Sequence, residues 1–145
     1  MMETVSSTIE IAAGPEDILG VLTDFESYPE WARGVKSVEI RSRDDSGRPL
    51  EVEYEVHPGP MPKVRYVLRY SYAPGGIAWD YVEGDVKDLR GSYELEGRNG
   101  TTSVEYHLAI EPGKIRLPGF VKARAAREIT RIALEELKRR VEAGT

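Results

Sequence analysis

The sequence predicts an α+β fold in which a seven-stranded antiparallel sheet curves around one long C-terminal helix, with two short helices between strands one and two. Three observations predict it. Residues 117 to 143 hold a sustained helical period without an internal proline after Pro118. Residues 35 to 111 change to a period of two, divided by five turn signals. Ahead of both, an alternating strand runs into a proline-led helix start.

The C-terminal helix has both ends marked. Pro118 fits the first helical turn, where its missing N–H costs nothing, and Gly144 stands where a left-handed cap would fall. Ala125 or Ala126, Ile129, Ile132, Ala133, Leu137 and Val141 recur at steps of three and four, while Arg124, Arg127, Arg131, Glu135 and Arg139 lie largely elsewhere. One face is therefore buried and the other wet. Unbroken, the helix would be roughly 40 Å long, and the charges along it exclude a membrane span.

At the other end, residues 4 to 11 finish in Ile9-Glu10-Ile11, an alternating strand. Pro15, Glu16 and Asp17 then open a short helix through Leu22, with the acids facing its dipole. Ser27 and Glu30 have the spacing of a capping box, which predicts a second, very short helix before Val35. The turns are Asp45-Ser46-Gly47, Pro58-Gly59-Pro60, Pro74-Gly75-Gly76, Glu83-Gly84-Asp85 and Asn99-Gly100. They leave strands at about 35 to 43, 48 to 57, 63 to 73, 76 to 83, 87 to 97 and 101 to 111, and such short links make neighbours antiparallel.

The clearest strand alternates Leu50, Val52, Tyr54 and Val56 with Glu51, Glu53, Glu55 and His57, so the sheet has an apolar side and a charged one. Carrying that parity onward turns Tyr66, Leu68, Tyr70, Ile77, Trp79, Tyr81, Leu89, Gly91, Tyr93, Leu95, Val104, Tyr106, Leu108 and Ile110 inward. Six of the eight tyrosines fall on this face. They can pack on the helix, or, opposite small residues such as Ala125, Ala126, Ala133 and Gly91, they can wall a mostly apolar pocket with a few polar groups.

Composition narrows the chemistry. A chain of 145 residues fits one domain over residues 1–145, and that size buries about 68 to 70% of its extended surface without staples. With no cysteine, disulfide scaffolds, thiol nucleophiles and iron–sulfur clusters are excluded. No secretory signal is evident at the N-terminus, so the cytoplasm is the expected location. The net charge of −5 is uneven: residues 114 to 140 hold nine Lys or Arg against three Glu, the remainder eleven against twenty-two acids. That basic helix either is a solvated face or touches anionic lipid, while the acidic body argues against nucleic acid as a partner. The two histidines, His57 and His107, both fall on the outer face, so neither a metal site nor a Ser–His–acid triad is expected. No phosphate loop occurs, and no cofactor is implied. Asn99-Gly100-Thr101 fits a glycosylation sequon but reads as a type I′ hairpin turn.

The order of elements resembles the START-like, Bet v 1-like helix-grip superfamily. The stretches Ile9-Glu10-Ile11-Ala12-Ala13, Asp24-Phe25-Glu26-Ser27-Tyr28-Pro29-Glu30-Trp31, Gly84-Asp85, Gly100-Thr101-Thr102 and Leu117-Pro118-Gly119-Phe120 look like its polyketide cyclase/dehydrase and lipid-transport branch. The Asp-x-x-x-Tyr-Pro-x-aromatic stretch is similar to that of coenzyme Q-binding START-like proteins. The resemblance implies a cavity between sheet and helix, with Tyr28, Pro29 and Trp31 near its entrance.

Together these readings nominate Tyr28, Trp31, Tyr54, Tyr66, Leu68, Tyr70, Trp79, Tyr81, Tyr93, Tyr106, Ala126, Ile129 and Ala133 as ligand-binding residues. The expected partner is a hydrophobic small molecule: a polyketide, an isoprenoid quinone or a lipid. A carrier is favoured over a polyketide cyclase or dehydratase, for which Tyr70, Tyr81 and Glu83 are the acid–base candidates. Glu83 shares parity with Trp79 and Tyr81, or else it ends its strand facing solvent. A third reading docks the basic helix transiently on an anionic membrane. Oligomeric state is left open.

Overall fold

The structure is a computed structural model describing residues 3–57, 63–113 and 119–144. Strand β1 (Glu3–Ile11) leads into α1 (Pro15–Thr23), a 3-10 turn (Phe25–Ser27) and α2 (Tyr28–Trp31). Six strands follow: β2 (Val35–Arg43), β3 (Pro49–Val56), β4 (Val64–Ala73), β5 (Gly76–Gly84), β6 (Asp88–Arg98) and β7 (Thr101–Glu111). Helix α3 (Gly119–Ala143) closes the chain. The sheet is a seven-stranded antiparallel meander in the order β1-β7-β6-β5-β4-β3-β2, so the first strand returns beside the last. This is the α+β helix-grip architecture that the sequence predicts, with strand boundaries within a residue or two. The Pro58-Gly59-Pro60 turn, Pro118 and the start of the predicted C-terminal helix lie outside the described residues.

Local chemistry accounts for most element ends. Asn99 and Gly100 take φ of 52° and 83°, the two positive values that a type I′ turn requires. Asp44 accepts from the backbone N–H of Ser46 (2.8 Å) and Arg48 (3.0 Å), holding the β2–β3 turn. Two expected caps do not form. Ser27 sits at φ −89°, ψ −5° and makes no side-chain cap bond, because the 3-10 turn runs directly into α2 and leaves no extended residue between them. Gly144 stays out of the left-handed region, and its N–H closes on Val141 O at 3.2 Å, ending α3 by a tightened last turn.

The core lies between the sheet's inner face and α3, with α1 and the 3-10 turn contributing Ile18, Leu22 and Phe25. Helix α3 packs chiefly on β1 and β7 and also meets α1 and α2. Its buried stripe is Ala126, Thr130, Leu134, Leu137 and Val141, flanked by Ile129 and Ala133. Ile132, expected on that stripe, is exposed; five residues of helix place it roughly 140° around the axis from Leu137. Polar ties fix the docking. Lys138 Nζ donates to Glu10 O (2.7 Å), Ala12 N–H donates to Glu142 (2.9 Å), and Thr102 Oγ1 donates to Ala13 O (2.7 Å).

Candidate functional site

The inner face is an almost continuous array of aromatic rings, assembled by register. Tyr54 pairs across strands with Tyr66, Tyr70 with Trp79, and Tyr93 with Tyr106, so three aromatic pairs lie on successive parts of one concave surface. Ring centroids link them onward: Trp31–Tyr28 at 5.1 Å, Tyr28–Phe25 at 5.5 Å, Phe25–Tyr70 at 4.6 Å, Tyr70–Trp79 at 5.8 Å and Trp79–Tyr106 at 5.8 Å. Leu68 and Ala126 are buried, and Ile129 and Ala133 pack half-buried against the core. Phe25 is a member that sequence parity misses, because it comes from the 3-10 turn. Tyr72, beyond the inward set on β4, lies with its ring half-buried under the Arg48 guanidinium at 4.7 Å, and its hydroxyl donates to Pro49 O.

Trp79 lies flat enough across β6 only because its neighbour is Gly91. A β-carbon there would stand 2.5 Å from Trp79 Cζ2 and 2.6 Å from His107 O. The glycine is the space into which the indole packs.

The phenols divide into two sets. Tyr28 donates to Leu22 O (2.5 Å), Tyr81 to Val86 O (2.6 Å), and Tyr54 and Tyr70 share a bond of 2.5 Å. No described residue takes up the hydroxyls of Tyr66, Tyr93 or Tyr106, yet among the described residues no fully buried side-chain oxygen lacks a partner. These three hydroxyls therefore each keep some accessible surface. Burial pushes the pKa of Tyr28, Tyr54, Tyr66, Tyr70, Tyr93 and Tyr106 well up; neighbouring phenols add to this in most, and Glu136 adds to it at Tyr93. They stay neutral at physiological pH, and Tyr66, Tyr93 and Tyr106 keep an O–H that can donate to a carbonyl or ring oxygen.

Glu83 is not on this surface. The register shifts between Val67 and Leu68, which face Glu83 and Tyr81, so Val82 has no partner and forms a β-bulge. The extra residue turns Glu83 outward, where its carboxylate meets Arg65 at 3.1 Å beside Glu53. Of the two readings of Glu83, the structure shows the strand-end residue facing solvent and not the grouping with Trp79 and Tyr81. Tyr81 keeps the inward side, but its hydroxyl is committed to Val86. Both histidines lie on the outside, as parity predicts.

Helix α3 also carries a buried carboxylate that helical periodicity does not reveal. Glu136 on α3 is 6% exposed, and its Oε2 accepts from both the backbone N–H and Nε of Arg33 at 3.2 Å. No sequence signal marks it, since its neighbour Glu135 is exposed and both fit the helix pattern. Glu136 and Trp31 face a recess of about 290 Å³ between α2 and the last turns of α3, rimmed by Glu30, Arg33, Arg139, Arg140 and Ala143. Trp31 thus touches the ring array on one side and this recess on the other. On the basic face of α3, Arg131 is held by Glu128 (2.7 Å) and Glu135 (3.0 Å), and Arg140 by Glu30 (3.2 Å). Among the described residues no helix is long and apolar enough to cross a membrane.

The sequence profile of the polyketide cyclase/dehydrase and lipid transport family matches residues 2–142. The chain belongs to that family. No curated protein sequence matches this polyketide cyclase/dehydrase and lipid transport member. Among solved structures it is similar to a START superfamily protein from Mycobacterium smegmatis, at 26% identity and a TM-score of 0.91 over 98% of this chain and 99% of that one. The Zhui aromatase/cyclase from Streptomyces sp. R1128 superposes with a TM-score of 0.81 at 16% identity, covering 98% and 94%. A STAR-related lipid transfer protein from Xanthomonas axonopodis gives 0.75 at 16%, covering 96% and 85%. The last two show the shared fold alone. The family's description covers both polyketide cyclisation or dehydration and lipid transport.

Proposed function

We propose that this family member is a non-catalytic carrier, one domain over residues 1–145, that holds a flat or elongated hydrophobic molecule between the sheet and α3 in the cytoplasm. The observation that carries this reading is the ring array from Trp31 to Tyr106 with the unshared hydroxyls of Tyr66, Tyr93 and Tyr106 facing inward. Rings offer apolar contact, and three neutral donors suit the oxygens of a polyketide, an isoprenoid quinone or a lipid. Tyr54, Leu68, Tyr70, Trp79, Tyr81, Ala126, Ile129 and Ala133 complete the wall in this reading, and Tyr28 and Trp31 stand at its mouth.

Native mass spectrometry of protein purified from its own cells, followed by solvent extraction, tests it. A stoichiometric, chemically intact lipid or quinone is the expected result. Protein that neither retains nor rebinds any such compound would refute the carrier.

A second reading, a polyketide cyclase or dehydratase, is favoured by the Tyr54–Tyr70 pair. If Tyr54 donates to Tyr70, the Tyr70 oxygen is better able to bear charge while its own proton remains free for a substrate carbonyl. On that reading Tyr70→Phe lowers turnover of a poly-β-ketone far more than its binding; equal losses in both would count against it.

A further inference from the structure

The outer face of the sheet carries a second cluster, on the side away from the ring array. On β7, Glu105 and His107 are two residues apart and project from the same face. On β6, Glu94 stands directly opposite Glu105, and β1 sets Ser6 opposite His107. Across this face His107 Nε2 lies 2.8 Å from Glu94 Oε2 and 3.0 Å from Glu105 Oε1, while Nδ1 lies 2.7 Å from Ser6 Oγ. One ligand atom from each of Glu94, Glu105 and His107 falls within 4.8 Å of the others. Two carboxylates directly opposed across a strand pair repel one another, and a positive charge between them, the His107 imidazolium or a metal ion, offsets that repulsion.

We propose that Glu94, Glu105 and His107 form a binding site for a divalent transition-metal ion of the zinc type. One imidazole nitrogen with two carboxylate oxygens is a donor set that zinc and copper accept, and a fourth position stays open to water because Glu94 is exposed. Zinc–ligand bonds of about 2.0–2.2 Å in tetrahedral geometry set donors about 3.3 Å apart, so the His107–Glu94 and His107–Glu105 distances need to widen only slightly. Ser6 supplies the outer support: with Nδ1–H donating to its hydroxyl, the Nε2 lone pair points at the carboxylates. The ion replaces the proton that the two carboxylates otherwise hold on His107, tying β6 to β7.

Isothermal titration of the full chain with Zn²⁺ in a non-coordinating buffer at neutral pH tests the site. The expected result is one ion per chain, with His107→Ala weakening binding by about tenfold or more and Ser6→Ala also weakening it. His57→Ala, which removes the other histidine, leaves binding unchanged. If His107→Ala fails to fold, the Glu94→Gln/Glu105→Gln double variant decides the question by the same loss. Absence of saturable binding by the wild-type chain, or binding that survives His107→Ala but not His57→Ala, overturns the proposal and leaves an ion pair only.

Discussion

The phenol oxygens of Tyr54 and Tyr70 lie 2.5 Å apart in the buried inner face. They come from adjacent strands, but they are not register partners: Tyr54 faces Tyr66, and Tyr70 faces Trp79. Tyr70 stands four residues along β4 from Tyr66, so the two phenols reach toward each other over the Val52–Leu68 pair. It ties β3 to β4 in the middle of the proposed ligand wall, and it leaves one of the two protons unshared.

Tyr54→Phe is expected to destabilise the fold by about 1–2 kcal/mol, since it removes a buried bond and strips Tyr70 of its partner. Tyr70→Phe should cost a similar amount. The double variant should lose less than the sum of the two, because neither hydroxyl is then left behind. Urea unfolding of the four proteins checks the cycle; strict additivity would mean that the two hydroxyls do not interact in solution.

Gly91→Ala is expected to destabilise by about 1–3 kcal/mol, the usual cost of overpacking. The added carbon meets the Trp79 indole and the backbone of β7, and only the indole can move. Tryptophan fluorescence should therefore shift in the native state, before any unfolding. An unchanged spectrum and unchanged stability would show that Trp79 does not lie across this glycine.

Glu83→Gln should leave ligand binding and any turnover unaltered and change stability by less than about 0.5 kcal/mol. Its side chain is 60% exposed in an outer-face pair with Arg65. Parallel measurements with Tyr70→Phe distinguish the two faces of β5 and β4. A large loss of binding in the glutamate variant would contradict the bulge at Val82.

Alkaline titration gives a fourth test. Tyr54, Tyr70, Tyr93 and Tyr106 have folded-state pKa values raised by burial above the unfolded value near 10. Their contribution is full below about pH 10 and is lost as pH rises further, because only the unfolded chain then releases protons. Each such phenol removes about 1.4 kcal/mol per pH unit in that window. Tyrosinate absorbance of these four should appear together with loss of the near-ultraviolet circular dichroism, and not before it.

The amino-acid sequence by itself determined the element order, the long helix and the two faces of the sheet. Alternation such as Leu50-Glu51-Val52-Glu53-Tyr54 is a local property, and short turns such as Asn99-Gly100 fix which strands are neighbours. Tertiary structure decided the rest. Whether Glu83 faces inward depends on Val82 having no partner on β4, which is a property of two strands and invisible in one. Glu136 is buried because the chain after α2 brings Arg33 against it on α3, a contact between distant parts of the sequence. Glu94 meets Glu105 and His107 across the β6–β7 hairpin, whereas Ser6 reaches His107 only because β1 returns beside β7. Faces follow from a period of two, but contacts follow from register, and register is set only when the strands pair.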